Sequence, residues 1–264
     1  MFLRLTELAS GSGRGYKFCI GLRCFFLEII KTLSFSLAIY KKGLSSAKRL
    51  ALVLPGKLDT KDYPHMQGHV DFLASKGYLA VSFDPPGTWD SPGDSSIYNM
   101  TNYVKAINEV ITYFGDKPTV LIGHSRGGST AMFAGSRNKN VTHIIAIMSH
   151  VQSSPMRPES LAQGFQISTR DDPRGGERKF KLTKTYFEDP LQGAILGEIS
   201  KCKKPKLFIL GKKDITVKPA EVKEIYEKAS PPKQLVEVDS DHNYRFSPEK
   251  IEEINKIIWN FLAS

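Results

Sequence analysis

Thr119-Val-Leu-Ile-Gly-His-Ser-Arg-Gly-Gly128 is the stretch that decides the fold. Val120 to Ile122 form a short apolar run, and Gly123-His124-Ser125-Arg126-Gly127 follows at once. Gly128, Ser129, Ala131 and Ala134 then supply small residues suited to a closely packed helix. This is a G-x-S-x-G pattern where its mechanics need it, after a strand and before a helix. The strand has to turn sharply into the helix, with Ser125 at the strained apex. A Cβ two residues before or after that serine would collide with neighbouring backbone, and glycine at 123 and 127 removes it. The hydroxyl is then held out at the C-terminal edge of a sheet, above the unpaired N–H groups that open a helix. With glycine and serine each near roughly 7% of residues, the bare pattern arises by chance in about one chain in ten of this size. Its weight therefore comes from its flanks and from what the rest of the chain offers.

Outward from this stretch the chain alternates strand and helix. Arg49 to Leu54 is continuously apolar after its first residue, as the buried middle of a parallel sheet requires, and ends at Pro55-Gly56. A helix is predicted over about 63–75, a strand over Tyr78 to Phe83, and a turn-dense loop from Asp84 to Gly93. Val104, Ile107, Val110, Ile111 and Phe114 share one face of a helix over about 100–114. Val141 to Met148 is the strand after the elbow helix. The alternation breaks over about 151–203, which holds no clear buried strand but a polar, turn-rich run, Arg170 to Lys179. An insertion of this length in a compact domain reads as a lid. Strands at Lys206 to Leu210 and Leu235 to Val238 enclose a helix at about 219–229. Ser247 and Pro248 open an amphipathic helix as N-cap and first helical residue. Such alternation predicts right-handed crossovers and a doubly wound, mostly parallel α/β sheet.

Upstream, residues 1 to about 16 read as a loose terminus and Phe18 to Ile30 as a buried or interfacial segment. Leu33, Phe35, Leu37 and Ile39 read as a strand of period two. The domain organisation expected is an N-terminal segment, 1–32, followed by one α/β domain, 33–264, with the lid inserted. Among 264 residues the formal net charge is +10. The lysines are scattered rather than blocked, and no nucleic-acid motif accompanies them, so nucleic acid is not an expected partner. Phe18 to Ile30 is too short and, with Arg23 and Glu28, too charged for a membrane span. With the basic charge, Phe18 to Ile39 leaves peripheral membrane contact as a secondary expectation. Three cysteines, Cys19, Cys24 and Cys202, supply no zinc ligand set and fit a reducing, cytoplasmic compartment.

A serine hydroxyl is a poor nucleophile at neutral pH and needs a base, and the base needs an acid to orient it. Asp214 follows Leu207-Phe-Ile-Leu-Gly-Lys-Lys213, and His242 follows Leu235-Val-Glu-Val-Asp-Ser-Asp241, each just beyond a strand. The C-terminal ends of parallel strands share one edge of the sheet, so Ser125, Asp214 and His242 are expected to meet there. On Gly123-His-Ser-Arg-Gly127, Gly211-Lys-Lys-Asp214 and Ser240-Asp-His-Asn243, the chain resembles the α/β-hydrolase superfamily over about 33–264. It is most similar to the group of small esterases, monoacylglycerol lipases and serine aminopeptidases. The resemblance implies Ser125 as nucleophile, Asp214 as acid and His242 as base. It also implies an oxyanion hole of two backbone N–H groups. One belongs to Arg126; the other belongs to Lys57 in Pro55-Gly56-Lys57, where the family usually has His-Gly-x, with Leu58 as the alternative. The implied substrate is a small-molecule ester or other acyl compound, with no cofactor and no metal; peptidase or amidase, thioesterase, acyltransferase and a silent binding protein are the alternatives. Asp84-Pro-Pro-Gly87 matches a turn the family uses structurally.

Other residues have plainer readings. Asp241 adjoins His242 and is a rival acid, though a neighbour reaches Nδ1 with difficulty. His124 is expected to point away beside the elbow, and His150 to line or rim the pocket. His65 and His69, four apart on a helix with no glutamate between them, read as a surface pair rather than as zinc ligands. The side chains of Arg126 and Lys57 are candidates for an anionic substrate group, with solvation as the default.

Overall fold

The computed structural model describes residues 6–10, 13–20, 23–152 and 155–264, with side chains from residue 27 onward. Its strands are β1 (Thr6–Ser10), β2 (Gly13–Ile20), β3 (Arg23–Lys31), β4 (Ser36–Lys42), β5 (Leu50–Leu54), β6 (Leu79–Phe83), β7 (Thr119–His124), β8 (Val141–Ile147), β9 (Phe165–Asp171), β10 (Glu177–Thr183), β11 (Lys206–Gly211) and β12 (Lys233–Val238). Its helices are α1 (Pro64–Ser75), α2 (Met100–Tyr113), α3 (Arg126–Arg137), α4 (Pro158–Leu161), α5 (Lys184–Phe187), α6 (Leu191–Ile199), α7 (Pro219–Lys228) and α8 (Pro248–Ala263).

Among the described residues one sheet runs in the order β1-β2-β3-β4-β6-β5-β7-β8-β11-β12. The six strands from β6 to β12 are mutually parallel, and β1 to β4 extend the sheet antiparallel. Strands β5, β6, β7 and β11 are buried along their whole length, because helices cover both faces. On one face α1 packs on α8; on the other α2, α3 and α6 pack together. The chain leaves β5 for β6 on one side and returns, through α2, to β7 on the other. The loops after β5 and β7 therefore adjoin, with Leu54 in register with Gly123. A sheet of this topology places its ligand crevice at such a switch point. No helix among the described residues is long and apolar enough to cross a membrane.

Three upstream expectations are corrected. Residues 6–10 and 13–20 are not loose but form a hairpin, with Ser10 opposite Gly13. Phe18 to Ile30 is not one segment: it turns between β2 and β3, with Ile20 opposite Arg23. Strand β3 pairs antiparallel along the edge of β4 that would otherwise leave its backbone groups unpaired, setting Ile30 against Leu37. The period-two strand starts at Ser36 rather than Leu33. Leu33 is 92% exposed at a turn closed by Thr32 N–H donating to Phe35 O at 2.8 Å. The side chains of Phe18 to Phe26, part of the stretch read as membrane-contacting, lie outside the described ones.

The insertion after β8 is also more ordered than its sequence suggests. β9 and β10 pair as an antiparallel hairpin from Phe165 opposite Thr183 to Asp171 opposite Glu177. Phe180 and Leu182 point into the core, which anchors the hairpin on the body. Helix α6 packs on α3 and buries Ile195 and Ile199 completely, so it belongs to the main layer of helices.

Candidate active site

Ser125 joins β7 to α3 with φ 52° and ψ −120°, a conformation that costs a non-glycine residue on the order of 1–3 kcal/mol. The crowding behind it is measurable. A Cβ on Gly123 would lie 2.2 Å from the Gly127 carbonyl carbon, and one on Gly127 would lie 2.0 Å from Leu54 O. Ser125 N–H donates to Ile147 O at 2.8 Å, which ties the apex to the next strand.

Beyond β11, Asp214 is buried and accepts three hydrogen bonds. The N–H groups of Thr216 and Val217 donate to Oδ1, each at 2.8 Å, and His242 Nδ1 donates to Oδ2 at 2.8 Å. Burial alone would raise the Asp214 carboxyl, but the bond to His242 and these N–H donors hold it below the ordinary carboxylate range. Asp241 is exposed and takes only the Asn243 N–H at 2.9 Å, so Asp214 is the partner of His242. Ser125 and His242 line one cleft of about 530 Å³, together with Lys57, His150 and Tyr186.

The loop after β5 wraps the other side of Ser125. Leu58 adopts φ 54°, its N–H donates to the Tyr98 hydroxyl at 3.2 Å, and its carbonyl accepts from Trp89 Nε1 at 3.0 Å. The Leu58 N–H is thus already committed. No hydrogen bond from the Lys57 N–H forms among the described residues. The Lys57 carbonyl accepts from Arg170 Nε at 3.2 Å and Nη2 at 2.9 Å. Asp84 is fully buried and fastens this loop to the next one. It accepts from Thr60 Oγ1 at 2.7 Å and Lys61 N–H at 2.9 Å, with Lys61 Nζ at 3.0 Å.

The histidines behind the cleft depart from their sequence reading. His65 and His69 are not a surface pair; both are fully buried. His69 bonds Asn255 Oδ1 at 2.7 Å and the Tyr244 hydroxyl at 2.9 Å, which pins α1 to the segment after His242. His124 does not point away either. Its ring lies 4.7 Å from that of His242, and its Nε2–H donates to the His242 carbonyl at 3.1 Å. His124 Nδ1 then faces Asp59 Oδ2 at 3.6 Å, and His65 Nε2 faces the same oxygen at 4.0 Å. Asp59, His65 and His124 are the groups here with metal-ligand chemistry, their ligand atoms within 4.8 Å of one another. Tetrahedral zinc with bonds near 2.0–2.1 Å would need about 3.4 Å between ligand atoms. The cradle is wider than that, and Asp59 Oδ1 already holds Arg245 at 3.4 Å. Burial lowers His69 and His150 to about 4 and His65 well below its ordinary value. The arrangement can hold an imidazole in one orientation beside a strained serine, which suits proton transfer from a hydroxyl.

Asp59, His124, Arg170, Tyr186 and Arg245 were not assigned to the site from the sequence. Only His124 carried a signal, its place next to Ser125. The others depend on loops and an insertion whose placement no periodicity encodes.

A sequence model of the alpha/beta hydrolase fold family matches residues 52–178. Comparison with curated protein sequences gives no match. Solved structures are similar across most of the chain. Mouse alpha/beta hydrolase domain-containing protein 10 shares 18% identity, covers 90% of this chain and 98% of its own, and superposes with a TM-score of 0.71. A thioesterase domain from the curacin biosynthetic pathway shares 15%, with 88% and 98% covered and a TM-score of 0.69. Est1E of Butyrivibrio proteoclasticus, solved with ferulic acid bound, shares 17%, with 89% and 99% covered and a TM-score of 0.67. The sheet order, the strained serine between β7 and α3 and these matches agree, and this chain has the alpha/beta hydrolase fold.

Proposed function

We propose that the protein is a serine hydrolase that cleaves a carboxylic ester of a small molecule through an acyl-enzyme on Ser125. His242 takes the Ser125 proton as Oγ attacks the carbonyl carbon. Asp214 orients the imidazole and stabilises the imidazolium. The N–H groups of Arg126 and Lys57 stabilise the tetrahedral oxyanion, each donor being worth about a hundredfold in rate. The proton on His242 passes to the leaving alcohol, and His242 then activates the water that releases the acid. The β9–β10 hairpin acts as a lid over this chemistry, and no cofactor takes part. We also place the protein in the cytoplasm, where its cysteines stay reduced.

The observation that carries this reading is the 2.8 Å bond from His242 Nδ1 to a buried Asp214, at a cleft shared with a serine held at φ 52°. A protein that only binds a ligand has no use for that combination. The test is labelling with a fluorophosphonate, which reacts only with an activated serine. Wild type is expected to label and Ser125→Ala is not. A folded wild type that stays unlabelled, or a variant that labels equally, overturns the mechanism. Esters, thioesters and aminoacyl amides share the same acyl-enzyme, so a panel of the three with common acyl groups decides among them, and esters are expected to turn over fastest.

A further inference from the structure

Most cations around the cleft are matched by carboxylates. Lys61 Nζ lies 3.0 Å from Asp84 and 3.0 Å from Asp90. Arg174 reaches Asp90 and Asp172, each at 3.1 Å. Arg245 reaches Asp59 at 3.4 Å and Asp171 at 3.5 Å. The cations on the Lys57 side are different. Among the described residues no carboxylate oxygen lies within 4 Å of a charged nitrogen of Lys57, Arg157 or Arg170.

These charges are crowded rather than scattered. The Lys57 ammonium stands 5.4 Å from the centre of the buried Tyr186 ring, and the Arg126 guanidinium stands 5.0 Å from the same centre. The Arg170 guanidinium is fixed beside Lys57 by its two bonds to the Lys57 carbonyl, and its Nη1 donates to Thr169 O at 3.2 Å. Burial, then the charges of Arg170, Arg126 and Arg157, push the Lys57 ammonium down to about 8. It therefore remains mostly protonated at neutral pH. Like charges assembled in a partly desolvated cleft are unfavourable until an anion joins them. The transient oxyanion of the reaction exists only during turnover, whereas this charge is permanent. It also lies where a substrate must pass, since Lys57, Arg170 and Tyr186 line the cleft with Ser125.

We propose that Lys57, with Arg170 beside it, forms an anion subsite, and that the acyl substrate of Ser125 carries a carboxylate or phosphate group close to its scissile carbonyl. The proposal rests on the serine-hydrolase reading and adds the substrate class. Lys57 contributes twice, its backbone N–H to the oxyanion and its side chain to the substrate's standing charge.

The experiment pairs each anionic ester with a neutral one of matched carbon skeleton. 4-Nitrophenyl hemiadipate is compared with 4-nitrophenyl hexanoate for an acyl-side anion. 4-Carboxyphenyl hexanoate is compared with 4-carbamoylphenyl hexanoate for an anion on the leaving group. At least one anionic ester is expected to exceed its neutral partner in kcat/KM by about ten- to hundredfold, the effect of one hydrogen bond to a charged group. Lys57→Met keeps the N–H and the aliphatic stem over Tyr186, and is expected to bring that ratio to near one. Lys57→Arg is expected to restore much of it, and added salt to reduce it. Ratios near one in both pairs, or a ratio untouched in Lys57→Met, overturn the subsite. Calorimetry of adipate and of inorganic phosphate on Ser125→Ala protein reads binding without turnover and separates the two anions. Binding that is lost in Lys57→Met upholds the subsite even if no ester is cleaved, an outcome that would sink the hydrolase reading alone. No binding of either anion, with esters cleaved normally, would sink the subsite alone.

Discussion

In the proposed mechanism Asp214 and Ser125 carry the chemistry through opposite devices. Ser125 is held in a backbone conformation that only the surrounding strands can enforce. Asp214 is held ionised by three donors that overcome its burial. Asp214→Asn keeps the shape and the capacity to accept from Thr216 and Val217, but removes the charge that stabilises an imidazolium. Its kcat on a 4-nitrophenyl ester is expected to fall about 10³- to 10⁴-fold, with KM little changed. A drop of less than tenfold would move the acid's role elsewhere. His124 stands one step removed, its Nε2–H holding the carbonyl of His242.

At the scale of elements, the β5, β7 and α3 unit determines whether the serine is presented at all. The two glycines that flank Ser125 are present for space, since α3 passes directly over the end of β5. Gly127→Ala places a methyl group 2.0 Å from Leu54 O and 2.7 Å from Pro55 O, backbone atoms that cannot swing aside. It is expected to cost about 3 kcal/mol or more in urea unfolding. Gly77, at φ 84° after α1 with no atom within 4 Å of an added Cβ, is the control. Gly77→Ala is expected to cost only the left-handed backbone penalty, about 1–2 kcal/mol. Equal effects of the two substitutions would contradict the packing account of the elbow.

Across the whole molecule, five of the six histidines are held below their ordinary value first by burial: His65, His69, His124, His143 and His150. The sign of the consequence is fixed. Below pH 6.5 the unfolded chain takes up protons that the folded state refuses, so stability falls as pH drops from 6.5 towards about 4. For His69 alone the loss reaches about 3 kcal/mol by pH 4. Asp59 adds a separate loss. Burial opposes its charge, but its neighbours His124, His65 and Arg245 bring it to about 2, so its contribution is present above 3.8 and disappears between 3.8 and about 2. Urea midpoints measured from pH 7.5 to 4 are expected to fall, with a shallower fall in His69→Gln. A midpoint constant over that range would contradict the buried neutral histidines.

The local sequence around Ser125 determined the elbow, because the strand period, the flanking glycines and the small-residue helix all act within ten residues. The parallel sheet was equally legible: Leu50–Leu54, Leu79–Phe83 and Lys206–Gly211 are each apolar enough to need cover on both faces. Asp214 and His242 could be named because each stands just past such a strand. What lay beyond reach were contacts between distant segments. His69 meets Asn255 across 186 positions and Arg170 meets Lys57 across 113, and neither side chain carries a local mark of its partner. A polar histidine on a helix reads as exposed until α8 and Tyr244 are known to cover it. The run Arg170 to Lys179 reads as loop because its charges hide the register of β9 and β10. Strand and helix periods are local consequences of backbone geometry, so sequence alone determined the scaffold and named Ser125, Asp214 and His242, the residues proposed for the chemistry. Burial and charge pairing are decided by what packs opposite, and only the tertiary structure decided the histidine cluster and the cationic side of the cleft.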